Sequence, residues 1–290
     1  MRICTSVDEI RGAMRAARAA GLRSGFVPTM GFLHEGHLSL VDLARAKGCG
    51  FVVVSIFVNP TQFGPNEDFA RYPRDEARDI ALLEARDVDL LFLPAVSTIY
   101  PEGHATSVRV SGVSEPLEGE RRPGHFEGVA TVVLKLFNIV QPDLALFGRK
   151  DAQQCAVVDR MLRDLDLPVE LAFCETTRES DGLAMSSRNA YLSPEERALA
   201  PQFREALARG VAAVRDGAST DEAEAAMSNA LDAFPIAIDY LRLVDPATFL
   251  PTDARDRDLL VVGAIRVGKT RLIDNIRIPA PGGETTKSTA

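Results

Sequence analysis

The 290-residue chain lacks any block of lysine and arginine, and its net charge is −8. A nucleic-acid partner needs a concentrated basic face, so that class of function is disfavoured. A membrane span is lacking too. The longest apolar run, FVVVSIFV from Phe51 to Val58, is far short of the ~18 residues a spanning helix requires. The amino terminus has no signal-peptide core; Ser6 followed by Glu9 reads instead as a capping box opening a helix. Cysteine is scarce. Cys4, Cys49, Cys155 and Cys174 are far apart without metal-type pairing, and read as buried or free thiols of a protein in a reducing cytoplasm. Internal repeats are absent. What remains is ordinary globular composition, 46% hydrophobic and 26% charged, at a length suited to two domains.

The first part alternates strand and helix. Strands are expected over Gly25 to Pro28, over FVVVSIFV, and over VDLLFLP from Val88, with a minor one near Val108 to Val110. Helices are expected from about Gly36 to Lys47 and from Pro73 to about Arg86. GVATVVLKLFNIVQ, from Gly128, has helical length and is apolar nearly all round. DLALFG then reads as a strand, KDAQQCAVVDRMLRDL as a helix and PVELAFCE as a strand. This order implies an α/β fold, a Rossmann-like parallel sheet with helices on both faces. Past about Thr176 the pattern becomes α+β. Ser193-Pro194-Glu195-Glu196 is a capping box with Pro at the first helical position, and its helix is expected to reach about Asp216. A second helix begins near Ser219, and three antiparallel strands follow. The expected domains are 1–178 and 179–280, with a disordered tail over 281–290.

Two stretches compete as nucleotide sites. GAIRVGKT, Gly263 to Thr270, has the letters of a phosphate loop. Such a loop needs a strand before it, a bare Gly-rich turn and a helix after it. Here the inner residues continue a strand, and RLIDNIRI reads as another. A β-hairpin with Gly268-Lys269 in the turn is the better reading. PTMGFLHEGH, Pro28 to His37, passes the same test, lying between a strand and a helix where parallel sheets bind ligands. Gly31 and Gly36 allow close backbone approach to phosphates. His34 and His37 fall on one helical turn and can present two donors to an anion. A metal pair or plain capping histidines are the alternatives, although the zinc pattern H-E-x-x-H has a wider spacing. FGRKDAQQ places Lys150 at another helix start, and MSSRN gathers two hydroxyls with Arg188.

VPTMGFLHEGH, SIFVNPTQFGPNEDFARYPR, RPGHFEGVATVVLKLFNIVQPDLALFGRKD and DGLAMSSRNAYL together resemble the pantothenate synthetase (pantoate–β-alanine ligase) family over nearly the whole chain. That family belongs to a wider group of adenylate-forming proteins with paired HxGH and Lys-rich motifs; here MSSR stands for the second. The resemblance implies a Mg²⁺-dependent reaction in which ATP and pantoate form pantoyl-adenylate. β-alanine then displaces AMP. It also implies a cytoplasmic homodimer.

By the same resemblance His34, His37, Lys150 and Arg188 are the catalytic residues. Met30, Gly31, Gly36, Gly148, Asp151, Thr177, Met185, Ser186 and Ser187 complete the ATP site. Gln62, Gln154, Arg122 and His125 serve pantoate and β-alanine, and Asp79 matches an acidic position near the metal. Neutral amides suit a substrate carrying hydroxyls and a carboxylate, since they both donate and accept. The chain departs from the family pattern at Phe32, Arg78 and Arg149. Two rivals are an HxGH nucleotidyltransferase acting on a phosphorylated substrate, and a nucleotide sensor of the same fold. The first would need cations where Gln62 and Gln154 stand; the second could dispense with Lys150 or the histidines.

Overall fold

A computed structural model describes residues 1–65 and 67–281. It divides into two compact units. One comprises residues 1–149, 154–177 and 185–187; the other comprises 150–153, 178–184 and the chain from 188 onward. A single cut at 178 would miss that residues 150–153 group with the second unit and 185–187 with the first. The tail expected over 281–290 falls, from residue 282, outside the described residues.

The first unit is built on β1 (Arg2–Cys4), α1 (Val7–Ala19), β2 (Ser24–Thr29), α2 (Glu35–Ala46), β3 (Phe51–Ile56), α3 (Glu76–Glu84) and β4 (Leu90–Phe92). It continues with α4 (Val96–Ile99), α5 (Glu118–Arg121), α6 (His125–Val140), β5 (Leu144–Gly148), α7 (Ala152–Asp164) and β6 (Glu170–Cys174). The six strands form one parallel sheet in the order β1-β4-β3-β2-β5-β6. The continuous apolar runs that marked β3 and β5 are buried along nearly their whole length, as a sheet covered by helices requires. α6 is apolar nearly all round for the same reason, with Val129, Ala130, Val132, Val133, Leu136 and Phe137 all buried and Glu127 and Asn138 exposed.

Three expectations need correction here. β1 was not foreseen, because three residues carry no readable period, so the His-bearing loop follows the second strand and not the first. α3 starts at Glu76 and not Pro73, since the Asp75 carboxylate accepts the Arg78 N–H at 3.1 Å and caps the helix there. Residues 108–110 form no strand; the Val108 N–H donates to Thr131 Oγ1 instead.

The second unit holds α8 (Pro194–Leu199), α9 (Gln202–Arg215), α10 (Thr220–Asn229), β7 (Ile236–Val244), β8 (Leu259–Val267) and β9 (Thr270–Ile278). The single helix expected from Ser193 to Asp216 is two, because Pro201 has no N–H to continue the ladder. The strands form an antiparallel sheet in the order β7-β8-β9. Phe203, Leu207, Leu241, Val261 and Ile265 centre its core. GAIRVGKT is the β8–β9 hairpin: Val267 pairs with Thr270 across Gly268-Lys269, and Gly268 has φ 57°. A strand and not a helix follows the turn, so the phosphate-loop geometry is absent there.

Candidate active site

The loop between β2 and α2 carries the paired histidines. Gly31 has φ 82°, and a Cβ on it would lie 3.0 Å from Ile56 Cγ2 and 3.1 Å from Asp79 Oδ2, so only glycine fits. His34 is the N-cap of α2, and its Nδ1 accepts the Gly36 N–H at 3.1 Å. His37 returns the arrangement: its Nδ1 accepts the His34 N–H at 3.3 Å. The two rings lie 4.1 Å apart, tilted by 42°. An Nδ1 that accepts carries no proton, so a neutral ring holds its proton on Nε2. Each histidine is therefore a capping residue and an Nε2–H donor at once. Gly36 serves here by leaving room, since a Cβ would come 2.9 Å from the His34 ring.

Several other candidates gather at this loop within the first unit. The Met185 N–H donates to the Thr177 carbonyl at 3.0 Å, and the Ser187 hydroxyl donates to the Phe32 carbonyl at 3.2 Å. Thr177 Oγ1 lies 3.5 Å from the Ser39 hydroxyl of α2. Beside Met30, Gln62 is buried; its Nε2 lies 3.1 Å from the Met30 sulfur and its Oε1 accepts from Asn59 at 3.1 Å. A thioether is a weak acceptor, so this amide keeps most of its donor strength. Asn59, 1% exposed, was missed by sequence reasoning. It also bonds the Gly128 carbonyl and accepts from Tyr100, and so fixes the turn that carries Gln62. Asn-Pro directly after an apolar strand run was the available signal. Gln154 lies on the first turn of α7, beyond β5, the strand that pairs with β2.

Arg122 and His125 form a closed network. The Arg122 guanidinium grips both Glu67 oxygens at 2.7 Å, and its NH1 lies 3.0 Å from His125 Nε2. A guanidinium only donates, so Nε2 accepts and the proton sits on Nδ1, which donates to the Gln62 carbonyl at 2.9 Å. Burial, with Arg122 adding to it, lowers the His125 pKa to about 4. Glu67 was another residue the sequence did not single out.

Asp79 is 1% exposed, and its two oxygens accept the Phe32 and Leu33 N–H groups, each at 2.7 Å. Burial pushes its carboxyl up. Among the described residues no group of three or more His, Cys, Asp or Glu side chains could hold a metal. Mg²⁺ accompanying a nucleotide takes much of its coordination from phosphates and water. A cavity of about 290 Å³ opens beside Asp79, lined by Met30, Gly31, Phe57, Leu93 and Val96 among others, but by none of His34, His37 or Gln62.

Gly148 ends β5, and its carbonyl accepts from the Cys155 thiol. Arg149 pairs with Glu175 at 3.0 Å and stacks over Phe173. In the second unit Lys150 and Asp151 lie in a single 3-10 turn before α7, and the Lys150 carbonyl accepts from Asn275 at 2.9 Å. Arg188 lies in the 3-10 segment Ser187–Tyr191, which also carries Asn189, whose amide donates to the Ala184 carbonyl. Ser186 precedes it. None of the four cysteines is in a disulfide, and no helix among the described residues is long and apolar enough to cross a membrane.

Residues 2–277 match the sequence model of the pantoate-beta-alanine ligase family. The pantothenate synthetase of Herpetosiphon aurantiacus is 53% identical over 279 residues, covering 95% of this chain and 99% of the relative. That of Gluconobacter oxydans is 54% identical over 272 residues, covering 93% and 98%. The crystal structure of the Thermus thermophilus pantothenate synthetase superimposes with a TM-score of 0.89 at 51% identity, covering 95% of this chain and 99% of that one. The Francisella tularensis pantoate-beta-alanine ligase, solved in complex with beta-gamma ATP and beta-alanine, has a TM-score of 0.78 at 33% identity, covering 95% and 97%.

Proposed function

The chain belongs to the pantoate-beta-alanine ligase family, and from that premise we propose how its residues carry out the ATP-dependent joining of pantoate to β-alanine. The pantoate carboxylate attacks the α-phosphorus of ATP and pyrophosphate leaves, giving pantoyl-adenylate. The neutral amine of β-alanine then attacks the acyl carbon. AMP leaves with the carboxylate oxygen, and the amine loses a proton as the amide forms. The first step brings one anion onto another, so catalysis consists largely of positioning and charge neutralisation.

The observation that carries this reading is the histidine pair. Backbone N–H groups occupy both Nδ1 atoms, which supports two Nε2–H donors on one turn at the carboxyl end of β2. These donors would meet the ATP phosphates, with Lys150 and Arg188 as the cations. Met30, Gly31, Gly148, Asp151, Thr177, Met185, Ser186 and Ser187 remain the proposed ATP contacts. Gln62 and Gln154 would orient pantoate by its hydroxyls and carboxylate. His125 would act on Gln62 from behind, through its carbonyl. Arg122 is committed to Glu67, so its proposed contribution to substrate binding is to hold that segment in place. Mg²⁺ would enter with the nucleotide and offset phosphate charge. Family membership equally supports a cytoplasmic homodimer.

Isotope exchange between pyrophosphate and ATP tests the two-step route. With pantoate present and β-alanine omitted, exchange is expected. Pantothenate formation without any such exchange would exclude a free-standing adenylate.

A further inference from the structure

The peptide groups of Phe32 and Leu33 have an unusual set of partners. The Phe32 N–H donates to Asp79 Oδ2 and the Leu33 N–H to Asp79 Oδ1, each at 2.7 Å. The Phe32 carbonyl accepts the Ser187 hydroxyl at 3.2 Å, and the Leu33 carbonyl accepts Arg78 NH1 at 2.9 Å. All four backbone groups are thus met by side chains, where a strand or helix would have used its own ladder. Phe32 stands at φ 50°, a left-handed conformation that a bulky residue holds only where its surroundings over-determine it. The Arg78 guanidinium lies 5.4 Å from the centre of the Phe32 ring. Phe32 and Arg78 are therefore partners of each other through both the ring and the Leu33 carbonyl beside it.

His34 follows directly, and the His34 N–H fixes the His37 ring. We propose that Asp79 is a positioning residue and not a magnesium ligand: with Arg78 and Ser187 it clamps Phe32 and Leu33 and thereby sets the placement of both histidines. The carboxylate is 1% exposed and each of its oxygens already accepts one backbone N–H, so half of its lone-pair sites are taken. Turning the carboxylate away onto a metal would leave the Phe32 and Leu33 N–H groups without partners, which is costly. The inference rests on the placement of His34 and His37 at the ATP phosphates.

Asp79→Asn in the full-length enzyme tests it. An amide accepts one of the two N–H groups and turns its own NH₂ toward the other. The expected result is a fall in kcat of about 10²-fold, the scale of a small misplacement in a preorganised site. The Mg²⁺ concentration giving half-maximal rate should not change. Only four histidines are present, so their ring signals can be followed by NMR; those of His34 and His37 should move while those of His104 and His125 stay. A raised Mg²⁺ requirement, with the His34 and His37 signals unmoved, would overturn the proposal. Amide hydrogen exchange in the unsubstituted enzyme gives a reading that does not depend on the variant folding: slow exchange at Phe32 and Leu33 is expected, and exchange at the rate of an open loop would overturn the clamp. Failure of the underlying assignment is distinct. It would appear as full activity in His37→Ala, with the amide protection of Phe32 and Leu33 intact.

Discussion

Acidification should expose the tautomer that Arg122 imposes on His125. The neutral ring accepts from the guanidinium on Nε2 and donates to Gln62 from Nδ1. A second proton would have to sit on Nε2, facing an N–H of a permanent cation 3.0 Å away. Burial is the largest cause of the lowered pKa and Arg122 the next, while the Gln62 carbonyl, Glu118 and Glu67 oppose them. The pKa falls from 6.5 to about 4 in the folded protein. Unfolded chains therefore take up the proton first as pH falls, and stability rises with pH wherever the unfolded state binds more protons. The contribution is fully present above the ordinary histidine value and is lost progressively down to about 4. At about 1.4 kcal/mol per pKa unit it amounts to at most about 3.5 kcal/mol. Urea unfolding across this range, on the enzyme and on His125→Gln, isolates the effect, because glutamine does not titrate. The wild type should lose up to about 3.5 kcal/mol more than the variant between neutrality and the acid end. Parallel curves, or a His125 ring signal titrating at the ordinary histidine value, would refute the reasoning.

Other outcomes follow from the same geometry. Lys150→Ala should lower the adenylation rate by about 10²-fold or more, as loss of one preorganised charge does, with melting unchanged; near-normal turnover would remove Lys150 from the site. His37→Ala should slow adenylate formation more than it slows amide formation from pre-made pantoyl-adenylate, and equal losses would point to a general structural role. Lys269→Ala, at an exposed turn, should leave ATP affinity and turnover unchanged, with stability within about ±0.5 kcal/mol. Gly268→Val is different. It places a side chain at φ 57°, with its Cβ 1.8 Å from Glu196 Oε1, where Glu196 completes the capping box of α8. About 1–3 kcal/mol of destabilisation in a denaturant titration is expected from strain and the disturbed cap.

Long local signals were legible in the sequence by itself. The β-branched-rich run of β3 and the capping boxes at Ser6, Ser193 and Ser219 are local chemistry, and each lies where the pattern placed it. The hairpin at Gly268 was legible because alternation on both sides contradicted the letters of a phosphate loop. β1 was not, because its three residues are held by pairing with β4 far along the chain. Around the histidines the sequence pointed to the loop but not to what holds it. Asp79 and Ser187 lie 47 and 155 positions from Phe32, and no spacing rule links residues that only the fold brings together. Asp79 illustrates the limit: its acidity was visible, but the direction of its oxygens was not.

The sheet order also governs when the fold can form. β2 is central, flanked by β3, which follows it closely, and by β5, which does not. Its fastening to the start of β5 is a reciprocal set of hydrogen bonds between Ser24 and Asp143, 119 residues apart. Until the ribosome has released Asp143, one edge of β2 is an open row of backbone donors and acceptors flanked by apolar side chains. Such separated pairings close slowly, because the loop entropy precedes the reward. The nascent first half of the chain therefore carries an edge open to other chains, and release of residues 143–148 from the ribosome lets β5 fill the gap beside β2.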